Sequence, residues 1–242
     1  WNIPSAFVMK YINSKKKILS VHGIYSEQIG ILHNKSIGNL ASKAEFQAFK
    51  ISNKLTTDSK TIKKNYKAKL DANFIYLPAP LDSKKFEKID NIEKKKNQII
   101  YIGRDSYEKG IDILKNFESK INGEIIYCTD SPWEKTMSIL KASKLLIVPS
   151  RMESIPQVIK EAFYLKIPVI ATNVGGISEI VENGTTGILI PPENPEKMID
   201  AINNLLDDDL LIDQLTKNAF EFITKNFTWD VLLPKYIELY EK

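Results

Sequence analysis

The chain has 242 residues, 43% hydrophobic and 26% charged, the composition of an ordinary globular protein able to bury a sizeable core. No apolar run approaches the ~20 residues a membrane-spanning helix requires. The single cysteine, Cys128, excludes an internal disulfide framework and a cysteine-rich zinc site, and fits a reducing cytoplasm.

Charge is unevenly spread: residues 1–80 carry +9 and the remainder −5, for a net +4. A basic first part suits an anionic membrane surface, which would make a cytoplasmic protein peripheral to the membrane. Lysines scattered over solvated faces explain the same bias more simply, because lysine replaces arginine almost everywhere, Arg104 and Arg151 being the exceptions. No basic stripe interleaved with aromatic residues argues for nucleic acid.

Trp1 to Leu19 has its lysines in the middle rather than ahead of an apolar core, so it does not read as a signal peptide. The chain opens on Trp1 rather than Met and need not begin where translation does. A helix is predicted over 2–13, then a strand at Ile18–Val21, a helix over 34–51, a strand at Lys54–Thr57, a helix over 59–69 and a strand at Phe74–Leu77. Pro78 and Pro80 stop that strand, and the polar, charge-rich stretch Asp82–Asn97 separates it from the longer second part of the chain. Strands resume at Gln98–Ile102, Glu124–Cys128, Leu145–Val148, Pro168–Ala171 and Gly187–Ile190, with helices predicted over 107–119, 133–143, 155–165 and 176–182. Helices over 195–206, 209–225 and 229–241 close the chain. Strands alternating with helices predict an α/β fold with parallel sheets covered on both faces. The first strand has no parallel neighbour upstream, so its edge calls for missing sequence, a partner chain or a second copy to cover it.

Two strand-end segments carry candidate chemistry. In the first, Gly103 ends a strand, Arg104 lies in the loop, and Lys109 precedes Gly110 near a helix start. Ligands bind at the carboxyl ends of parallel strands, where a glycine admits a phosphate and cationic side chains neutralise it. In a chain this poor in arginine, placing both arginines in strand-end loops suggests a need for planar, two-pronged hydrogen bonding. The second segment runs from Val148 through Pro149, Ser150, Arg151, Met152 and Glu153 to Ser154, Ile155, Pro156, Gln157 and Val158, with Glu161 further into the predicted helix. Ser154 and Gln157 have the spacing of a capping box with Pro156 in the first turn. Such a helix start also presents free N–H groups and the positive end of the helix dipole to an anion. Spacing alone leaves Glu161 as a surface charge beside Lys160. Asp207-Asp208-Asp209 reads as a solvated turn rather than a metal site.

The stretch Pro149–Pro192 resembles the hallmark segment of glycosyltransferase family 4, the retaining GT-B family also described as glycosyl transferases group 1. The resemblance rests on Pro149-Ser150, Glu153, Glu161-Ala162, Pro168-Val169-Ile170-Ala171-Thr172, Gly175-Gly176, Glu179-Ile180-Val181 and Gly187-Ile188-Leu189. Upstream, Gly103-Arg104 and Lys109-Gly110 are similar to the family's phosphate loop, and Phe227-Thr228-Trp229 to the start of its closing helix.

The resemblance implies a two-domain Rossmann-like architecture with a truncated first domain. Residues 1–82 would be the partial acceptor-side domain, 83–226 the nucleotide-sugar domain, and 227–242 a helix returning toward the first. Gly103, Arg104 and Lys109 would hold the donor diphosphate, and Glu161 the ribose hydroxyls. Glu153, with Ser154, Ile155, Pro156, Gln157 and Val158, would hold the transferred sugar and distal phosphate. His22, in Val21-His22-Gly23, would face the donor from the first domain and, with Glu153, act in catalysis.

The implied reaction is retaining transfer from a UDP- or GDP-sugar to a glycan, lipid or protein acceptor, with no metal and no separate cofactor. The alternative is a non-catalytic remnant that binds nucleotide sugar or serves as a subunit with a partner chain. The chain departs from the family in its short first domain and in Pro156, which stands in place of a glycine. It is also short by roughly one strand–helix unit, ~30 residues, between Gly103 and Pro149, where the family frames the base.

Overall fold

A computed structural model describes residues 3–93 and 95–241, in two compact units, Trp1–Ala79 and Pro80–Lys242.

The first unit opens with a short helix α1 (Ile3–Ala6) and a 3₁₀ segment Phe7–Lys10, not the single predicted helix, whose Asn2 lies outside the described residues. Strands β1 (Ile18–Ser20), β2 (Lys54–Thr57) and β3 (Phe74–Tyr76) form a parallel sheet in the order β1-β2-β3. Helices α2 (Tyr25–Leu32) and α3 (Lys35–Ile51) connect the first pair, and α4 (Lys60–Leu70) the second. Asn34 and Ser59 cap α3 and α4 by accepting from the Ile37 and Ile62 amides. Helix α2 has no side-chain cap at its own N-terminal residue. Instead the buried Glu45 of α3 accepts from the Ser26 amide at 3.1 Å. The core gathers Leu19, Val21, Ala48, Phe49, Ile62, Tyr66 and Phe74, with Tyr66 stacked on Phe74 at 5.2 Å.

The second unit holds a five-stranded parallel sheet of order β5-β4-β6-β7-β8. Its strands are β4 (Gln98–Ile102), β5 (Glu124–Cys128), β6 (Leu145–Val148), β7 (Val169–Thr172) and β8 (Ile188–Ile190). Helices α5 (Ile111–Phe117), α6 (Trp133–Ala142), α7 (Gln157–Tyr164), α8 (Pro195–Leu206), α9 (Asp209–Asn226) and α10 (Trp229–Glu241) accompany it. Strands β6 and β7 are buried throughout, as expected where both faces of a parallel sheet are covered. One hydrophobic cluster packs α6, α7 and α9 on one side of the sheet, and a second packs α5 and α8 on the other.

Three predicted helices are corrected. The 107–119 helix is broken into a 3₁₀ turn Tyr107–Lys109, α5, and a 3₁₀ turn Glu118–Lys120, because Gly110 adopts φ +68° and reverses the chain. The 176–182 helix is reduced to a 3₁₀ turn at Ile177–Glu179. The 155–165 helix begins only at Gln157, after an extended Pro156 that stands as its N-cap residue in place of Ser154. Within the predicted Asp207–Asp209 turn, Asp208 caps α9 by accepting from the Leu211 amide. None of the helices among the described residues is long and apolar enough to cross a membrane.

Candidate nucleotide-sugar site

Chain order and sheet order diverge in the second unit. The chain passes from β4 outward to β5, then crosses to β6 on the other side of β4 and continues to β7 and β8. The reversal lies between β4 and β6, and open α/β sheets bind ligands outside the carboxyl ends of the strands at such a point. The two loops leaving those strand ends are the ones that the sequence marks, 103–110 after β4 and 149–156 after β6.

These loops are joined at several levels. The Glu108 carbonyl accepts from the amides of Arg151 (2.9 Å) and Met152 (3.3 Å). A Cβ at Gly110 would lie 2.2 Å from the Pro149 carbonyl oxygen, so only glycine permits the approach. Across this contact, the Lys109 ammonium donates to Glu153 Oε1 at 2.6 Å, and the Ser150 hydroxyl donates to the same oxygen at 2.8 Å. Glu153 is 9% exposed and Lys109 25% exposed, so the pair sits in a partly dry crevice where charge is weakly screened. From the other side, the Gly176 amide donates to the Ser154 carbonyl at 2.9 Å. Gly175, at φ +55°, leaves no room for a Cβ, which would fall 1.8 Å from the Glu153 carbonyl oxygen.

Just beyond, α7 starts at Gln157, so the Gln157 and Val158 amides precede its helical ladder, while that of Ile159 donates to the Pro156 carbonyl at 3.3 Å. Ile155 and Pro156 are buried, Val158 is half-buried, and Gln157 is exposed and donates from its amide to the Pro80 carbonyl at 3.3 Å. Glu161, one turn on, is not a solvated surface charge. Burial raises its pKa above the ordinary carboxylate value, countered by the Trp133 hydrogen bond and by the Lys160 and Lys85 charges. Trp133 Nε1–H donates to Glu161 Oε1 at 2.8 Å, and the indole meets Phe86 edge-on at 5.3 Å. Trp133, the first residue of α6, is a contributor that sequence reading missed. Its one signal was its position in the Asp130-Ser131-Pro132-Trp133 turn beyond the carboxyl end of β5.

The arginines divide. Arg151 makes a two-pronged pair with Asp112 (2.6 and 2.8 Å), bonds Glu193 and the Tyr107 carbonyl, and lies 4.0 Å over the Tyr107 ring. Its planar recognition is therefore satisfied inside the protein. Arg104 is 61% exposed and pairs with Glu108, a member of its own loop, at 2.9 Å. Gly103 packs against Tyr101, whose hydroxyl donates to the Arg104 carbonyl at 2.8 Å. The structure thus brings Lys109, Ser150 and Glu153 into direct contact, and sets Glu161 with Trp133. His22 belongs to the first unit, where its ring bonds Asp58 and Ser20. Among the described residues no group of three or more histidine, cysteine, aspartate or glutamate side chains could hold a metal ion.

Comparison with known proteins bears on the family and the fold. Residues 116–222 match the model of the glycosyl transferases group 1 family. Alpha-D-kanosaminyltransferase of Streptomyces kanamyceticus is 38% identical over 82 residues, which are 34% of this chain and 21% of that protein. D-inositol 3-phosphate glycosyltransferase of Corynebacterium diphtheriae is 37% identical over 109 residues, 45% of this chain and 25% of that protein. The matches thus cover well under half the length of these curated relatives.

Among solved structures, sucrose-phosphate synthase from Thermosynechococcus elongatus aligns with 99% of this chain and 70% of its own, with TM-score 0.83 and 18% identity. HepE from Anabaena, in complex with UDP-glucose, aligns with 98% of this chain and 75% of its own, with TM-score 0.76 and 16% identity. At such identities the likeness concerns the fold, an α/β fold of GT-B type with parallel sheets. Residues 116–222 are thus similar to the glycosyl transferases group 1 family, within a fold of GT-B type.

Proposed function

We propose that this chain is the donor-binding part of a retaining, metal-independent glycosyltransferase, taking a sugar from a nucleotide sugar to a hydroxyl-bearing acceptor with no separate cofactor. The observation that carries the reading is the Lys109–Glu153 contact at the switch point of the sheet, beside the amino end of α7 and the Glu161–Trp133 pair. Lys109, Arg104 and the first-turn amides of α7 would take up the charge on the diphosphate leaving group. Glu161 would accept from ribose hydroxyls through the oxygen that Trp133 leaves open. Glu153, released from Lys109 by the diphosphate, would accept from the transferred sugar. A UDP-sugar is the first donor to try, since HepE was solved with UDP-glucose.

Calorimetric titration with UDP-, GDP- and ADP-sugars tests the reading. One of them should bind, and Lys109→Ala should weaken it by roughly 10- to 100-fold, the worth of one charge-assisted contact. Failure of all three donors to bind would reject the reading. A second reading, a donor-binding subunit that is inactive alone, is favoured by the three-stranded sheet of the first unit. Binding without transfer or hydrolysis until a partner chain is added would select it.

A further inference from the structure

The first unit holds a side-chain relay built where two neighbouring strands end. Ser20 is the last residue of β1 and His22 lies two positions on. Asp58 follows Thr57, the last residue of β2, which runs parallel to β1 with Ser20 opposite Thr56. His22 Nδ1 lies 3.0 Å from Asp58 Oδ2, and His22 Nε2 lies 2.9 Å from Ser20 Oγ. The Asp58 side chain is 7% exposed and that of His22 45%, so the carboxylate is sunk in the fold while the ring reaches solvent.

The loop beneath the ring is fixed as well. The Tyr66 hydroxyl donates to Glu45 Oε1 at 2.5 Å and lies 3.2 Å from the Gly23 carbonyl, while Glu45 receives the Ser26 amide.

A neutral imidazole has one N–H and one lone pair. A lone pair aimed at a carboxylate oxygen 3.0 Å away is repulsive, so the proton belongs on Nδ1 and donates to Asp58. Nε2 is then the acceptor, and the Ser20 hydroxyl donates to it. This is the opposite of the Nε2–H form favoured by an unconstrained histidine. It is also the arrangement in which a carboxylate sets the tautomer of a catalytic base.

We propose that Asp58 and Ser20 are positioning residues for His22. Asp58 holds the ring as the Nδ1–H tautomer, and the Ser20 hydroxyl occupies the Nε2 position that a substrate hydroxyl takes in turn. The proposal rests on the transferase reading and on the catalytic role that the family resemblance implies for His22, but its first test does not depend on transfer.

Long-range ¹⁵N–¹H correlation spectra of the ¹⁵N-labelled chain report which ring nitrogen carries the proton. The sequence has only His22 and His33, so His33→Gln assigns both signals. As the neutral imidazole, His22 should show a protonated Nδ1 and an acceptor Nε2. Asp58→Ala should move the proton to Nε2, and Ser20→Ala should leave the tautomer unchanged while shifting the Nε2 resonance. A wild-type His22 protonated at Nε2 overturns the proposal, even if Asp58→Ala fails to fold. So does an Asp58→Ala protein that keeps the Nδ1–H form.

In steady-state transfer from the donor identified by calorimetry, Asp58→Ala should lower kcat by about 100-fold, as for loss of an oriented acid–base group. The donor KM should stay within about threefold, since the diphosphate contacts are untouched. An equal fall in kcat and rise in KM would reassign Asp58 to the fold alone. A wild-type chain that transfers no sugar defeats the transferase reading, while the spectrum still decides the role of Asp58.

Discussion

Glu161 shows how one buried carboxylate can be held at a cost to the fold. Its carboxylate is held away from water, and desolvation outweighs the opposing pull of Trp133, Lys160 and Lys85, so its folded pKa lies above the ordinary value. A carboxyl raised in this way contributes stability in full below its unfolded pKa. It loses that contribution as pH rises through the folded value. Once deprotonated above that value, Glu161 carries a charge that its burial disfavours. Glu161→Gln keeps an oxygen for the Trp133 indole and removes the charge. The variant should melt at a higher temperature than wild type at pH 7.5, and the difference should vanish near pH 4. Its nucleotide affinity should fall by about tenfold, as for loss of a hydrogen bond to a charged group. Thermal melts across pH with parallel calorimetry check both halves, and a Glu161→Gln protein that melts lower at pH 7.5 contradicts the account.

The elements divide sharply into what local sequence dictates and what only tertiary contact supplies. Strands β2, β4, β5 and β6 were legible because runs such as Gln98–Ile102 and Leu145–Val148 are apolar and rich in branched residues between clear breaks. Helices α8 and α10 were equally plain. Helix α2 was missed because its amino end is closed by Glu45, a residue nineteen positions later on another helix. The helix predicted over 155–165 starts late because Pro156 is extended, which delays it to Gln157. Motif spacing marked Lys109, Glu153 and Glu161, yet it could not show that Lys109 and Glu153 touch. That contact depends on the sheet order, which places β4 beside β6.

Arg151 marks the same limit. Its rarity suggested external recognition, whereas it ties the Tyr107–Lys109 turn, α5 and the loop after β8 together. Arg151→Lys replaces a planar fork by a single point donor and loses the stacking on Tyr107. It should destabilise the protein by about 1–2 kcal/mol and weaken nucleotide binding severalfold by loosening the turn that carries Lys109. Chemical denaturation and titration of the same preparation would show both. Unchanged stability would mean that the clamp contributes little in solution.

At the scale of the whole molecule, the apolar cores are partitioned. One cluster lies wholly between Ile3 and Phe74, and the other two lie between Leu81 and Phe227. The second unit also closes on itself, because the Leu81 amide donates to the Phe227 carbonyl at 2.6 Å and Leu81 bridges Thr228. Every residue of the proposed diphosphate and ribose contacts belongs to this unit. A chain covering residues 80–242 should therefore fold alone into a cooperative domain, since its size and its two-sided sheet suffice for an independent core. It should also keep nucleotide affinity within about threefold of the full chain, as the deleted unit supplies none of those contacts. At a nucleotide concentration of 100 Kd, mass action adds about 2.7 kcal/mol of stability. For a domain of this size that corresponds to a rise in Tm of roughly 5–10 °C. Transfer should be abolished in the same fragment, because His22 and its supporting Asp58 are gone. A fragment that folds and binds but does not transfer supports this division of labour. One that folds without binding would place part of the nucleotide site on the first unit, and one that still transfers sugar would remove His22 from the reaction.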